Sequence, residues 1–218
     1  MRTLVVSDLH SGDPRCENTS FVLKVLRETN YDQLILNGDI VDLWLVSPAQ
    51  IKTHPVVIEL SRIAKNKKVI WVLGNHDWDA RGQNIIPGAE EVESYTLKTS
   101  NHDVFFIHGH QVYEFQNMPW YSKLLTKINF WFWQKTGINF QRFLNRGPMY
   151  VWLIRYRRKE IIKQYKDKSN TIVIGHTHLF GCSSSSKTTV FDIGSLPIRK
   201  TYCIINDNGD VLLQKFQY

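Results

Sequence analysis

Seven residues able to ligate metal stand where short apolar runs end. Asp8 and His10 close the run from Thr3 to Ser7, and Asp39 closes Gln33 to Leu36. Asn75 follows Lys68 to Leu73, His108 follows Val104 to Ile107, and His176 and His178 follow Thr171 to Ile174. Residues two apart in extended chain point the same way, so Asp8 with His10, and His176 with His178, can each reach one point. Imidazole together with carboxylate suits Mn, Fe, Zn or Ni better than Ca or Mg. Seven ligands exceed one tetrahedral zinc and suit two ions roughly 3.5–4 Å apart that share a carboxylate. His76 can exchange a proton near neutral pH, and a carboxylate such as Asp42 would orient it. Asp77 reads as a turn or cap residue, His110 as a residue of the site's rim, and His54 and His102 as surface residues.

The elements that must carry these residues alternate. Strand-like runs at Thr3–Ser7, Gln33–Leu36 and Lys68–Leu73 are separated by helical patterns at Asn18–Asn30 and Val56–Ala64. That order implies βαβ units with a parallel core, and such sheets bind ligands at the carboxyl edge of their strands. Gly38, Gly74 and Gly175, each preceding a candidate ligand, let backbone pass close to the site. Further strands are expected at Glu93–Leu97, Val104–Ile107, Thr171–Ile174, Thr189–Ile193, Tyr202–Ile205 and Val211–Phe216. Asn208-Gly209 is a hairpin turn signal, and Ser183–Ser186 reads as a flexible hairpin tip.

Between them, about residues 111–168, lies a helical, aromatic-rich insert. From Pro119 to Lys168 twelve Lys and Arg face only Glu160 and Asp167, so this segment holds the whole excess behind the net charge of +7. A basic patch attracts nucleotides, nucleic acid or an acidic lipid surface. The plain reading is a helical pair whose aromatics pack on the main body and whose basic face is solvated. The sharper one is a lid, with Arg155, Arg157 and Arg158 gripping substrate phosphates and exposed Trp131 and Phe132 holding acyl chains or stacking on bases.

The 218 residues, 43% hydrophobic and 22% charged, fit one domain spanning 1–218 with this insert. No apolar run reaches the roughly 20 residues of a membrane helix, and Met1–His10 lacks the pattern of a secretory signal, so a cytoplasmic location is expected. Cys16, Cys182 and Cys203 have no zinc or redox spacing and read as reduced thiols.

Taken in order, Asp8-x-His10, Gly38-Asp39-x-x-Asp42, Gly74-Asn75-His76-Asp77, His108-Gly109 and Gly175-His176-x-His178 resemble the five motifs of the calcineurin-like metallophosphoesterases. Asp192–Pro197 resembles that family's last core strand. The resemblance implies an α/β fold in which a two-sheet β-sandwich is flanked by helices. It implies hydrolysis of phosphomonoester or phosphodiester bonds by a hydroxide bridging two divalent transition-metal ions, with manganese ahead of iron, zinc or nickel. Asp8, His10 and His178 would hold one ion, and Asn75, His108 and His176 the other. Asp39 would bridge, and His76, steered by Asp42, would contact the phosphate or protonate the leaving oxygen. The aromatic, basic insert is similar, more loosely, to that of the UDP-2,3-diacylglucosamine hydrolases, which act on a nucleotide-linked lipid at the membrane surface. The best-known members of that branch carry Arg where this chain has His76, which favours a more general phosphodiesterase or phosphomonoesterase. The alternatives are that lipid pyrophosphatase, a nuclease or nucleic-acid end-processing enzyme, and a metal-free interaction scaffold. The expected partners are a phosphate ester, whether nucleotide, nucleic acid or lipid-linked, and a membrane surface touched through the insert; no obligate protein partner is evident.

Overall fold

The apolar runs become strands because both faces of each are covered. A computed structural model of the chain describes residues 1–16, 18–112, 119–137 and 148–216. Strands β1 (Thr3–Val6), β2 (Gln33–Asn37) and β3 (Lys68–Val72) alternate with helices α1 (Thr19–Glu28), α2 (Pro48–Ile51) and α3 (Pro55–Ala64). Then come β4 (Glu90–Val92), β5 (Tyr95–Leu97), β6 (Val104–Phe106), α4 (Pro119–Thr136), α5 (Pro148–Tyr165) and β7 (Thr171–Ile174). The chain ends with β8 (Phe180–Ser185), β9 (Thr188–Ile193), α6 (Leu196–Arg199), β10 (Thr201–Ile205) and β11 (Val211–Lys215).

Two sheets result. The first runs β11-β10-β1-β2-β3-β4, with β1 to β4 parallel, and the second runs β5-β6-β7-β9-β8, with β6, β7 and β9 parallel. Side chains alternate between three apolar layers. Leu4, Leu34, Leu36 and Trp71 point outward to α1 and α3. Val5, Ile35, Ile70 and Val72 point inward to Val104, Phe106 and Val173 of the second sheet. Phe105, Ile172 and Val190 point to the far side, where Ile161 and Ile162 of α5 cover them. A one-residue slip would exchange the two faces of a strand, so this layering fixes register. The result is the two-sheet sandwich flanked by helices that the sequence implies.

Local signals set the helix starts. Ser47 and Gln50 form a capping box at α2, a helix the sequence reading lacked, and Pro55 opens α3 after His54 accepts the Val56 amide. Three expectations change. The strand expected at Glu93–Leu97 is confined to Tyr95–Leu97, paired with β6 in the second sheet, and Glu90–Val92 just before it is a further strand paired with β3 in the first, so the chain changes sheets at residues 93–94. Ser183–Ser186 is not a flexible tip. Ser183, Ser184 and Ser185 pair with Val190, Thr189 and Thr188, and the turn is confined to Ser186 and Lys187. An edge strand needs backbone partners on one side only, so polar residues suffice there and the usual apolar alternation is missing. Finally, the strand expected across Asp192–Pro197 stops at Ile193, the end of β9, and Leu196–Arg199 is helical.

Within the insert, α5 packs through Ile154, Arg158, Ile161 and Ile162, while Trp152 and Tyr156 stay exposed. Phe140 and Phe143 lie outside the described residues, as do the side chains of Trp120, Tyr121 and Tyr150. Arg158 is nearly fully buried, and its Nε and Nη2 donate to Asp192 Oδ2 at 3.1 and 2.9 Å. Burial pushes the Asp192 carboxyl up to about 7, against the pull of Arg158 and Thr177. Removing one partner of such a pair strands the other without its countercharge. Arg158→Leu is therefore expected to cost about 3–5 kcal/mol of stability, read as a lower urea midpoint, and Arg158→Leu with Asp192→Leu should recover much of the loss.

Candidate metal centre

The carboxyl ends of β1, β2 and β3 in one sheet meet those of β6 and β7 in the other. Asn37 ties them together: its Nδ2 donates to Ile107 O at 3.2 Å and Val173 O at 3.4 Å, and its carbonyl accepts from Ser7 Oγ at 2.8 Å. The loops after β1 and β2 then run side by side, with the Asp8, His10 and Ser11 amides donating to the Gly38, Asp39 and Ile40 carbonyls at 3.0, 2.9 and 3.0 Å. Two glycines give the required closeness. A Cβ on Gly74 would lie 2.2 Å from Asp39 Oδ1, and one on Gly175 would lie 1.9 Å from Ser7 Oγ.

Six of the seven candidate ligands gather at this junction, in three groups of ligand atoms, one of which joins His10 to Asp42 and His76. His178 Nε2 lies 3.2 Å from Asp8 Oδ1 and 3.1 Å from His10 Nε2. In the second group, Asp39, His108 and His176 each place a ligand atom within 4.8 Å of the others. Asp39 Oδ2 stands between the groups, 3.1 Å from His108 Nε2 and 3.8 Å from His10 Nε2. Asn75, next to His76, has a buried Oδ1 with no hydrogen-bond partner among the described residues.

These residues fit cations. His108 Nδ1 lies 2.9 Å from the Asn37 carbonyl and must donate to it, so in the neutral ring Nε2 turns a lone pair toward the Asp39 carboxylate. That close, buried pair has no hydrogen-bond geometry, and two acceptors facing each other call for a positive charge between them. Protons on the histidines can supply part of that charge. Burial opposes charge on His108 and His10, yet Asp39 carries His108 up to about 10, and Asp42 with Asp39 carries His10 up to about 9. Burial would raise both carboxyls, but His178 and His108 hold Asp8 below its ordinary value, and His108 and His76 hold Asp39 well below. The backbone is bent to the same end: Asp8, His10, Asp39, His176 and His178 have φ of 53°, 45°, 52°, 67° and 55°. The left-handed region costs a non-glycine residue roughly 1–2 kcal/mol.

Beside the groups, His76 Nδ1 lies 2.9 Å from Asp42 Oδ2, and its amide donates to Asp39 Oδ1 at 2.9 Å. Trp44 stacks on the His76 ring with centroids 3.8 Å apart and planes at 26°. Sequence reasoning passed over Trp44; its one signal is its place two residues after Asp42. Asp77 is the buried turn residue expected. It accepts from Ile40 N, Trp71 Nε1 and Gly74 N, and burial, with Asp39 nearby, pushes it up to about 6. His110 is buried, its ring centroid 5.6 Å from that of His108, and burial pushes its pKa down to about 4.

The three arginines expected to grip substrate do not act alike. Arg155 is exposed and Arg157 half-buried. Arg158 departs from the expectation, because its donors are taken by Asp192 and by Leu179 O at 3.3 Å. Asp192 Oδ2 also accepts from Thr177 Oγ1. Thr177 separates His176 from His178, so the buried pair braces the turn that presents both histidines.

No curated protein matches the chain, but solved structures share its fold. YfcE, a phosphoesterase from E. coli, is 16% identical with a TM-score of 0.52, and the match covers 100% of both chains. An archaeal phosphodiesterase is 12% identical with a TM-score of 0.52, over 99% of this chain and 100% of its own. Vps29 from Chaetomium thermophilum is also 12% identical with a TM-score of 0.52, over 99% of this chain and 97% of its own. Residues 1–180 match the family described as calcineurin-like phosphoesterase. With that match spanning most of its length, the chain belongs to the calcineurin-like phosphoesterases and is a metal-dependent phosphoester hydrolase.

Proposed function

We propose that this hydrolase cleaves phosphomonoester or phosphodiester bonds with two divalent cations held by a shared Asp39. The observation that carries the reading is the position of Asp39 Oδ2, 3.1 Å from His108 Nε2 and 3.8 Å from His10 Nε2, between two ligand groups. Asp8, His10 and His178 would hold one ion and Asn75, His108 and His176 the other, with manganese first among iron, zinc and nickel. When bound, the ions lower the pKa of water into the neutral range and neutralise charge on the phosphoryl oxygens. The rest falls to the chain. Asp42 fixes His76 Nδ1, and Trp44 fixes the plane of its ring, so Nε2 is the atom left to give a proton to the departing oxygen. The His76 amide holds Asp39 Oδ1, which leaves Oδ2 for the ions. Arg155 and Arg157 remain the candidates for contact with the outer part of the substrate. A complete ligand set argues against a metal-free scaffold. The nucleotide-lipid and nucleic-acid alternatives differ in contacts beyond the metal groups.

Metal content of the purified protein, with and without Asp39→Asn, tests the shared carboxylate. A neutral amide cannot neutralise two cations. The variant is expected to keep its fold, lose bound metal, and lose turnover on an aryl phosphodiester by about 10²–10⁴-fold. Normal metal and normal turnover would remove the dinuclear reading.

His76→Gln should keep the metals and lose roughly 10²–10⁴-fold in kcat on an alkyl ester, whose leaving group needs a proton. The loss on an activated aryl ester should be much smaller. Equal losses on the two substrates would assign His76 to phosphate binding instead.

A further inference from the structure

Arg158 occupies a position that packing alone would give to an aliphatic residue. Ile154, Arg158, Ile161 and Ile162 fall at helical spacing on the buried side of α5. Ile161 and Ile162 meet Phe105, Ile172 and Val190 of the second sheet. A guanidinium in such a stripe must leave water, and a buried ion pair is seldom more stable than apolar residues of similar volume in its place. Stability alone therefore does not account for the pair with Asp192. What an apolar pair cannot supply is direction.

The bonds of the pair meet the histidine turn on both sides of His178. Asp192 Oδ2 accepts from Arg158 Nε and Nη2, and from Oγ1 of Thr177, the residue before His178, at 2.5 Å. Arg158 Nη2 also donates at 3.3 Å to the carbonyl of Leu179, the residue after His178. The Leu179 amide donates to Thr177 Oγ1 at 3.0 Å and closes the ring of contacts. The chain then passes the guanidinium at Gly181, where a Cβ would lie 3.3 Å from Arg158 Nη1. His178 has a φ of 55°, a strained value that persists only where its neighbours hold it. His176 is held differently, since its amide donates to the two Asp8 carboxylate oxygens at 3.1 and 3.0 Å. The clamp therefore acts on His178, whose Nε2 faces Asp8 and His10.

We propose that Arg158 is a positioning residue for His178, and that docking of α5 and binding of the ion held by Asp8, His10 and His178 are linked, each strengthening the other. The proposal rests on the two-ion reading above. Groups that orient a ligand from behind are typically worth about 10–100-fold in metal affinity. Binding free energies are reciprocal, so an ion that draws on the clamp must also tighten it.

The test separates positioning from stability. Arg158→Leu with Asp192→Leu removes the clamp but restores apolar packing, so much of the stability lost in Arg158→Leu should return. Equilibrium dialysis of that double variant against Mn²⁺ should nonetheless show one of its two ions bound about 10–100-fold more weakly than in the wild type, and the other little changed. Excess Mn²⁺ should restore its turnover on an aryl phosphodiester. In the wild type, Mn²⁺ should slow hydrogen exchange at the α5 amides, and in the double variant it should not. Thr177→Val leaves Arg158 paired with Asp192 but cuts the link to the turn, and should weaken the same ion about tenfold. It keeps the proposal falsifiable should the double variant fail to fold. Wild-type affinity for both ions in Thr177→Val, or in a folded double variant, would overturn the proposal, as would α5 exchange in the wild type that is indifferent to Mn²⁺. A wild type that holds fewer than two ions would overturn the two-ion reading itself, and the proposal with it.

Discussion

Asp8 and Asp39 end adjacent parallel strands as fully buried carboxylates, and much of the molecule is arranged around them. A buried carboxylate without partners is costly, so each must gather donors and positive charge. Asp8 takes the Ser7 hydroxyl and the His176 amide, and Asp39 takes the His76 amide. The two amides come from loops distant in sequence from the carboxylates they meet. The carboxylates thus act as the points at which the ends of five strands are drawn together.

Support spreads outward from these contacts. Asn37 holds the two sheets in register beneath the site and orients His108 through its carbonyl. Ser195, just after the last strand of the second sheet, donates to the Asp8 carbonyl at 2.9 Å. Farther out, Arg158 and Asp192 fix the turn between His176 and His178 from below. The insert thus has two connections with the catalytic edge: α5 supports the histidine turn, and α4 reaches Arg15, in the loop after His10, through Phe130.

What could be read beforehand follows from how local each signal is. Strands β1, β2 and β3 are buried on both faces, so each is a continuous apolar run, and the ligands sit directly after the runs. That made the sheet edge and the candidate ligands visible. Glu90–Val92 and Ser183–Ser185 were not visible as strands, because edge pairing asks only for backbone and their side chains carry no pattern. Trp44 could not be tied to His76, since their stacking depends on two loops meeting in space. Arg158 shows the limit most clearly. Its charge was legible, but the buried Asp192 that takes up that charge lies 34 residues away in sequence. Without that partner the arginine reads as a surface cation.

The left-handed backbone at Asp8, His10, Asp39, His176 and His178 sets folding against chemistry at the same five positions. Glycine would relax each of them and relieve the crowding of buried charge, but it has no ligand atom to offer. At His10, His176 and His178, whose side chains do not hold the strand ends together, the more readily stabilised versions of this chain would therefore be inert ones. The same strain narrows the routes open to protein engineering. Extra stability has to be sought in the apolar layers and the edge strands, because at the junction of the sheets a gain in conformational ease removes the group that makes the junction worth forming.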